Sequence, residues 1–319
     1  MQRALTERDD ELHPVGEPAA DWAETCWFAA AVPERGLGIW TYPFFRAGLG
    51  VMGCAVYIWG QGATELWQQP YYRQYWHLPI PEGLRLTDMS LSVGLSYTRR
   101  EPLRRYSISY RDGDAVSFDL EWTALHAPEG LGVTDAIGHW DQFGKVTGRL
   151  VLGDATIDID CVEARDRSWS PRRESRSRTR LGYSYGAVGA GERAFLFSNR
   201  RVADGTQAPL GGFVLEDGAT REIVDGKRHV RRDASGRPES VTVDVTEAGG
   251  TTWTATGEIV SQFAMHTSPY FVWVSMVRWT MPDGSVAWGE DQDTWSPGSW
   301  RSEYPGPVAR DLGVPGAAQ

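Results

Sequence analysis

The sequence predicts an all-β protein, on three observations. Apolar residues alternate with polar ones at a period of two through much of the chain. Asp-Gly and Gly-Gly pairs break that alternation roughly every 8–12 residues, the spacing of short strands joined by tight turns. No segment carries apolar residues at i, i+3, i+4 and i+7 beyond a turn or two. Short, evenly spaced strands build a sandwich or a barrel, and long meanders tend to close because closure removes exposed edges. At 319 residues the chain suits two modules of about 150 residues each.

The elements follow in order. Met89, Leu91, Val93, Leu95 and Tyr97 alternate with Ser90, Ser92, Gly94 and Ser96. Tyr106, Ile108 and Tyr110 lead into Asp112-Gly113, and Val116, Phe118, Leu120 and Trp122 lead out, which reads as a hairpin. Val146, Gly148, Leu150 and Leu152 turn at Gly153-Asp154 and return through Ile157 and Ile159. Asp204-Gly205, Asp217-Gly218, Asp225-Gly226 and Asp283-Gly284 read as further turns. Val241, Val243 and Val245 are expected to pair, across Gly249-Gly250, with Trp253, Ala255 and Ile259, and Phe271 to Met281 reads as a longer, more continuously apolar strand. The division is expected near the Arg/Ser-rich segment from Arg165 to Arg180, giving domains at 15–165 and 166–305. The first dozen residues and the tail after Pro305 are expected to be loosely ordered.

Composition narrows the partners. A net charge of −10, with no extended run of Lys or Arg, argues against nucleic acid or an anionic membrane surface. Cys26, Cys54 and Cys161 form no C-x-x-C pair and have no His at ligand spacing, so they read as reduced, buried thiols of a cytoplasmic protein. The N-terminus has no apolar h-region, and no uncharged apolar run of about 18 residues offers a membrane span. No metal set or cofactor motif is visible, and the acidic balance suits a neutral or small-molecule ligand; a homo-oligomer is compatible with the sequence. The 15 tryptophans suit either an aromatic-lined cavity or a barrel core.

The most specific chemistry lies at Arg165-Asp166-Arg167-Ser168-Trp169-Ser170-Pro171-Arg172, directly after the alternating run from Thr156 to Glu163. It reads as a charged cluster where a strand ends. Asp166 is the leading acid, or else an anchor paired with Arg165, Arg172 or Arg180. His139 titrates near neutrality and is the second candidate. His77 lies in an aromatic stretch (Tyr71, Tyr72, Tyr75, Trp76) suited to a pocket mouth. Glu290, Asp291 and Asp293 read either as half of an acid/base pair or as a solvated acidic turn. No G-x-S-x-G elbow or H-E-x-x-H helix is present.

These residues also carry a resemblance. Asp166-Arg167-Ser168-Trp169-Ser170-Pro171-Arg172 resembles the D-[HR]-S-W-G-x-R signature of a tandem lipocalin-like group related to carotenoid 1,2-hydratases, AttH-like proteins and some fungal pericyclases. Glu24-Thr25-Cys26-Trp27-Phe28 is similar to the first strand of these proteins, and the segment His139 to Gly148 to their H-x-x-Q-x-G-x-V-x-G run. The chain departs in having Ser170 where Gly is usual and Arg167 where His is common. The resemblance implies two lipocalin-like barrel or sandwich domains in tandem around a hydrophobic, often isoprenoid, ligand. It also implies a cofactor-free lyase that hydrates an alkene or dehydrates a tertiary or allylic alcohol. Asp166 would donate or relay the proton, His139 would assist, and Trp40, Trp140, Trp169 and Tyr183 would line the cavity and stabilise a cation. A non-catalytic carrier of hydrophobic ligands, a pericyclase or isomerase, and a carbohydrate-binding protein are the rival readings.

Overall fold

An eleven-stranded open sheet is followed along the chain by a closed eight-stranded barrel, and both are antiparallel. The computed structural model describes residues 4–13, 19–134, 136–172, 180–201, 206–267 and 270–304. The sheet comprises β1 (Trp22–Val32), β2 (Leu37–Arg46), β3 (Val51–Trp59), β4 (Tyr71–Pro79), β5 (Asp88–Ser90), β6 (Leu95–Glu101), β7 (Arg105–Asp112), β8 (Val116–Ala124), β9 (Glu129–Gly130), β10 (Gly138–Leu152) and β11 (Ala155–Pro171). The barrel comprises β12 (Arg180–Val188), β13 (Arg193–Arg201), β14 (Gln207–Glu216), β15 (Ala219–Arg232), β16 (Pro238–Glu247), β17 (Thr252–Thr267), β18 (Tyr270–Thr280) and β19 (Val286–Trp295), with a short helix α1 (Pro297–Glu303) after it.

The sheet order is β4-β3-β2-β1-β11-β10-β8-β7-β6-β5, so the first and last long strands of the module lie side by side at its centre. The barrel closes where β12 meets β19. The hairpin at Asp112-Gly113 joins β7 and β8, and Gly153-Asp154 joins β10 and β11, as the alternation predicts. Val243 and Val245 lie opposite Ala255 and Trp253. Asp225-Gly226 is not a turn. It lies inside β15 beside a register shift, where a Cβ on Gly226 would come within 2.8 Å of the Phe197 ring. The glycine there serves a close approach within the wall rather than a reversal.

Three apolar clusters organise the packing. One lies in the curve of the sheet around Phe28, Tyr97, Tyr106 and Trp122. A second occupies the barrel around Phe197, Val243, Val277 and Trp279. A third joins the modules, with Trp27, Trp40, Tyr57 and Trp59 of the sheet against Tyr185, Leu196, Phe213 and Phe263 of the barrel. The change of sheet falls between Pro171 and Arg180. The Asp204-Gly205 turn, the tail beyond residue 305 and residues 173–179 of the Arg/Ser-rich segment lie outside the described residues.

The N-terminal stretch differs from the loosely ordered segment expected. A 3-10 turn at Glu7–Asp10 puts Asp9 and Asp10 out of contact with solvent. Asp10 accepts from Arg165 and from the Tyr106 hydroxyl, both buried. Glu11 accepts from the Leu86 amide at 2.8 Å and from Thr87 at 2.8 Å, and His13 stacks on Trp169 at 3.9 Å. These residues strap the sheet because buried cations elsewhere in it need their carboxylates. All three cysteines are buried free thiols. No helix among the described residues is long and apolar enough to cross a membrane.

Candidate active site

The charged cluster forms the final seven residues of β11 and Arg172 just beyond it. β11 runs on to Pro171, and alternation sorts the motif onto two faces. Arg165, Arg167 and Trp169 point one way; Asp166 and Ser168 point the other. The arginines are accommodated in a strand because each finds its counter-charge on its own face. Arg165 is buried against Asp10 and lies over the rings of Phe28, Tyr106, Trp122 and Trp140 at 4.2–5.3 Å. Arg167 donates to the Glu11 carbonyl at 2.7 Å, to Glu24 Oε2 at 3.0 Å and to the Thr25 carbonyl.

Asp166 occupies the face turned toward the barrel. Its register neighbours are Asp141 on β10 and Trp27 on β1. One row away, His139, Ser168 and Thr25 are aligned across the same three strands. His139 Nε2 lies 2.9 and 3.0 Å from the two oxygens of Asp141, and its Nδ1 lies 3.8 Å from Asp166 Oδ2. Tyr183, from the barrel strand β12, donates to Asp141 Oδ1 at 2.7 Å, and its ring stands edge-on to His139. Ser168 Oγ is 2.6 Å from Thr25 Oγ1 and accepts from Arg172 at 2.5 Å. The Asp141 side chain is fully enclosed, whereas His139 and Asp166 keep 28% and 18% exposure, so a ligand can reach the outer pair.

The environment drives the two outer groups to opposite charge. Burial, reinforced by Asp141, raises Asp166 to about 6 against the pull of His139, Arg172 and Arg167. Its Oδ1 is buried without a hydrogen-bond partner, which disfavours the ionised form in the same sense. Burial alone would depress His139, but the Asp141 charge and hydrogen bond, with Asp166 behind, outweigh it and raise the imidazole to about 9. Tyr183 stays a phenol, because burial and the neighbouring carboxylates push it far up. Between about pH 6 and 9 the site therefore holds a partly exposed imidazolium beside a partly exposed carboxylate.

One ligand atom from each of His139, Asp141 and Asp166 falls within 4.8 Å of the others, close enough for one cation.

A second pair of acids lies deeper. Glu163 accepts from Tyr185 Oη at 2.7 Å, and Glu290 accepts from Trp40 Nε1 at 2.7 Å. Burial raises Glu163 to about 7, and burial with the Glu163 charge raises Glu290 well above the carboxylate range. Glu290, Asp291 and Asp293 are buried strand residues of β19, not the solvated turn expected.

The structure thus brings Asp166, His139 and Tyr183 together. It places the remaining expected residues elsewhere. Trp140 and Trp169 are fully buried on the opposite face, packed with Trp22 and Val133, so they form core rather than cavity wall. The error is one of strand parity, since each is an odd number of residues from the outward-facing groups. Trp40 is buried in the inter-domain cluster, held by Glu290. His77 is exposed on the edge strand β4, five strands from His139, with φ 56°. Sequence reasoning missed Asp141, although a spacing of two from His139 on a strand puts both on one face. Glu163 carried no local signal, because its partners come from the barrel.

A family model described as a domain of unknown function (DUF7064) matches residues 6–293. The chain belongs to that family. No curated protein matches the sequence. Solved structures similar to this DUF7064 chain include a putative AttH from Nitrosomonas europaea (14% identity, 85% of this chain and 91% of that one, TM-score 0.59). CghA bound to Sch210972 is similar at 12% identity, 86% and 88% coverage and TM-score 0.59. Kievitone hydratase from Nectria haematococca is similar at 10% identity, 90% and 92% coverage and TM-score 0.54. At these identities the likeness concerns the fold, which the DUF7064 chain shares over most of its length.

Proposed function

We propose that the protein is a cofactor-independent hydro-lyase acting on an alkene or a tertiary or allylic alcohol of a hydrophobic, terpenoid-like molecule. The observation that carries this reading is the His139–Asp166 pair, reachable by a ligand and held in opposite charge states at neutral pH. In the dehydration direction His139 gives its proton to the hydroxyl as the C–O bond breaks, releasing water. Asp166 takes the proton from the adjacent carbon, and the C–H electrons form the double bond. Hydration is the reverse, in which Asp166 is the donor and His139 takes a proton from water. With Asp166 near 6 and His139 near 9, the proton on Asp166 returns to His139 downhill, which resets the site after dehydration. Asp141 and Tyr183 hold the imidazole in place. A similar fold in kievitone hydratase is consistent with this chemistry.

The test is turnover of a panel of tertiary and allylic terpenoid alcohols and the matching alkenes in heavy-oxygen water, with mass detection. We expect label in the alcohol or loss of water to the alkene, abolished in Asp166→Asn and His139→Gln and unaffected by a chelator. kcat/KM is expected to rise through about pH 6 and fall through about pH 9. An unlabelled isomer would indicate a pericyclase or isomerase, and saturable binding with no product would indicate a carrier.

A further inference from the structure

The face of the sheet turned toward the barrel carries an indole that the His139–Asp166 chemistry leaves unused. Trp27 lies in β1, 3% exposed, directly opposite Asp166 in the β1–β11 pairing. Paired residues of an antiparallel sheet share a face, with Cβ atoms about 4.5–5.5 Å apart. Barrel rings fix the direction of the side chain. Tyr183 and Tyr185 of β12 stand edge-on to Trp27, at 6.3 and 6.0 Å between ring centres, and Tyr183 is edge-on to His139 as well, at 6.4 Å. Trp27 is therefore a wall of the site that holds His139 and Asp166.

Its nitrogen is idle. Trp27 Nε1 is buried without a hydrogen-bond partner, and so is Asp166 Oδ1. The polar groups around them are committed elsewhere. Tyr183 Oη donates to Asp141, Tyr185 Oη to Glu163 and Trp40 Nε1 to Glu290, each at 2.7 Å. Thr25 and Ser168, one row along, bond to each other and to Arg172. A buried donor and a buried acceptor thus stand side by side, and neither satisfies the other. Leaving both unmet is costly, so the pair points to a third group. Trp59, Trp122, Trp169 and Trp273 also carry unpartnered indole nitrogens, but Asp166 Oδ1 is the one unpartnered buried carboxylate oxygen among the described residues, and Trp27 alone of these five faces it across a strand pair.

We propose that Trp27 and Asp166 together hold the hydroxyl of an alcohol ligand, the indole N–H donating to its oxygen and Asp166 Oδ1 accepting its O–H. A hydroxyl answers both atoms through one oxygen. A carbonyl or ether accepts without donating, and an ammonium donates without accepting. Water meets the same demand, and the experiment separates the two. Trp27 is thus a specificity-determining residue, which distinguishes an alcohol from the hydrocarbon left on loss of water. The inference rests on the reading of His139 and Asp166 as a ligand site, but not on the reaction assigned to them.

Equilibrium dialysis at neutral pH tests it, with the intact chain and a panel of tertiary and allylic terpenoid alcohols. Each alcohol is compared with the hydrocarbon that differs from it by one water, and mass detection counts bound ligand apart from any product. At least one alcohol is expected to bind saturably and at least ~10-fold more tightly than its hydrocarbon, since a site built around a hydroxyl rejects the analogue lacking it. Trp27→Phe is expected to remove most of that preference. Benzothienylalanine introduced at position 27 keeps the shape of the indole and replaces its N–H by sulfur; it gives the same loss, and decides the matter if Trp27→Phe does not fold. Asp166→Ala loses the preference from the other side. Trp67→Phe, at a tryptophan 71% exposed, leaves it unchanged. These responses without turnover keep this inference and end the hydro-lyase reading; turnover with the preference intact in both position-27 variants does the reverse. The proposal is overturned if no alcohol is preferred to its hydrocarbon, in which case the two atoms serve water alone, or if both position-27 variants keep the preference.

Discussion

Replacing Asp10 by Asn is the sharpest test of how the motif divides between its two faces. Asp10 and Arg165 are both fully buried, and Arg165 has no other carboxylate in contact among the described residues. Removing the charge would leave a guanidinium enclosed by four aromatic rings. Breaking a buried pair from one side costs about 3–5 kcal/mol, because the remaining ion keeps its desolvation penalty. Tyr106 also exchanges a charged acceptor for a neutral one, a hydrogen bond worth about 1.5–3 kcal/mol when charged, so the upper part of the range is expected. Cation–π contacts, about 2 kcal/mol each when dry, are retained and do not offset the loss. Urea unfolding followed by tryptophan fluorescence, with the m-value checked for constancy, gives the number. Arg165→Met in the same chain removes the stranded charge, and the double variant should recover at least ~2 kcal/mol relative to additivity. A loss below ~1 kcal/mol for Asp10→Asn would refute the reasoning, since that is what an exposed pair yields.

Further outcomes follow from the same geometry. Gly138→Ala drives a Cβ to 2.2 Å from the Trp169 ring and should cost about 1–3 kcal/mol in urea unfolding, as overpacking does. Tyr183→Phe removes the phenol that donates to Asp141, so a fall in turnover is expected by steady-state kinetics, together with a loss of about 1.5–3 kcal/mol in urea unfolding. His139 is raised from 6.5 to about 9, so its stabilisation is complete below about pH 6.5 and lost as pH rises through 9; urea midpoints across pH should lose that alkaline decline in His139→Gln. Asp166 is raised from 3.8 to about 6, so its contribution is present below about pH 3.8 and lost as pH rises through 6; Asp166→Asn should flatten that lower window.

The fold was legible wherever local rules decide it. The Asp112-Gly113 hairpin and the valine alternation of β16 follow from a period of two and a turn that tolerates positive φ. Asp225-Gly226 had the same local chemistry and misled, because the glycine answers a crowded approach to Phe197 from another strand. The site was half legible. Residue type and resemblance single out Asp166, His139 and Tyr183, which the fold brings together, whereas Trp140 and Trp169, expected to line the cavity, pack on the other face because alternation along β10 and β11 places them there. Asp10, His13 and Glu163 were illegible in principle, since what makes each of them matter is a partner brought in by tertiary contact. A buried acid without its cation nearby in sequence looks like any surface acid.

The strap has a consequence for how the protein is made. Asp10 reaches Arg165 across 155 residues, and Trp40 reaches Glu290 across 250. During synthesis Asp10 must wait until β11 has left the ribosome before it can be seated. Contacts of such long separation slow folding and leave intermediates open to association. Until then the cradle of Phe28, Tyr106, Trp122 and Trp140 stands without its plug. A deletion of residues 4–13 would therefore act as a folding lesion in the middle of the sheet, although it lies far from β11 in sequence.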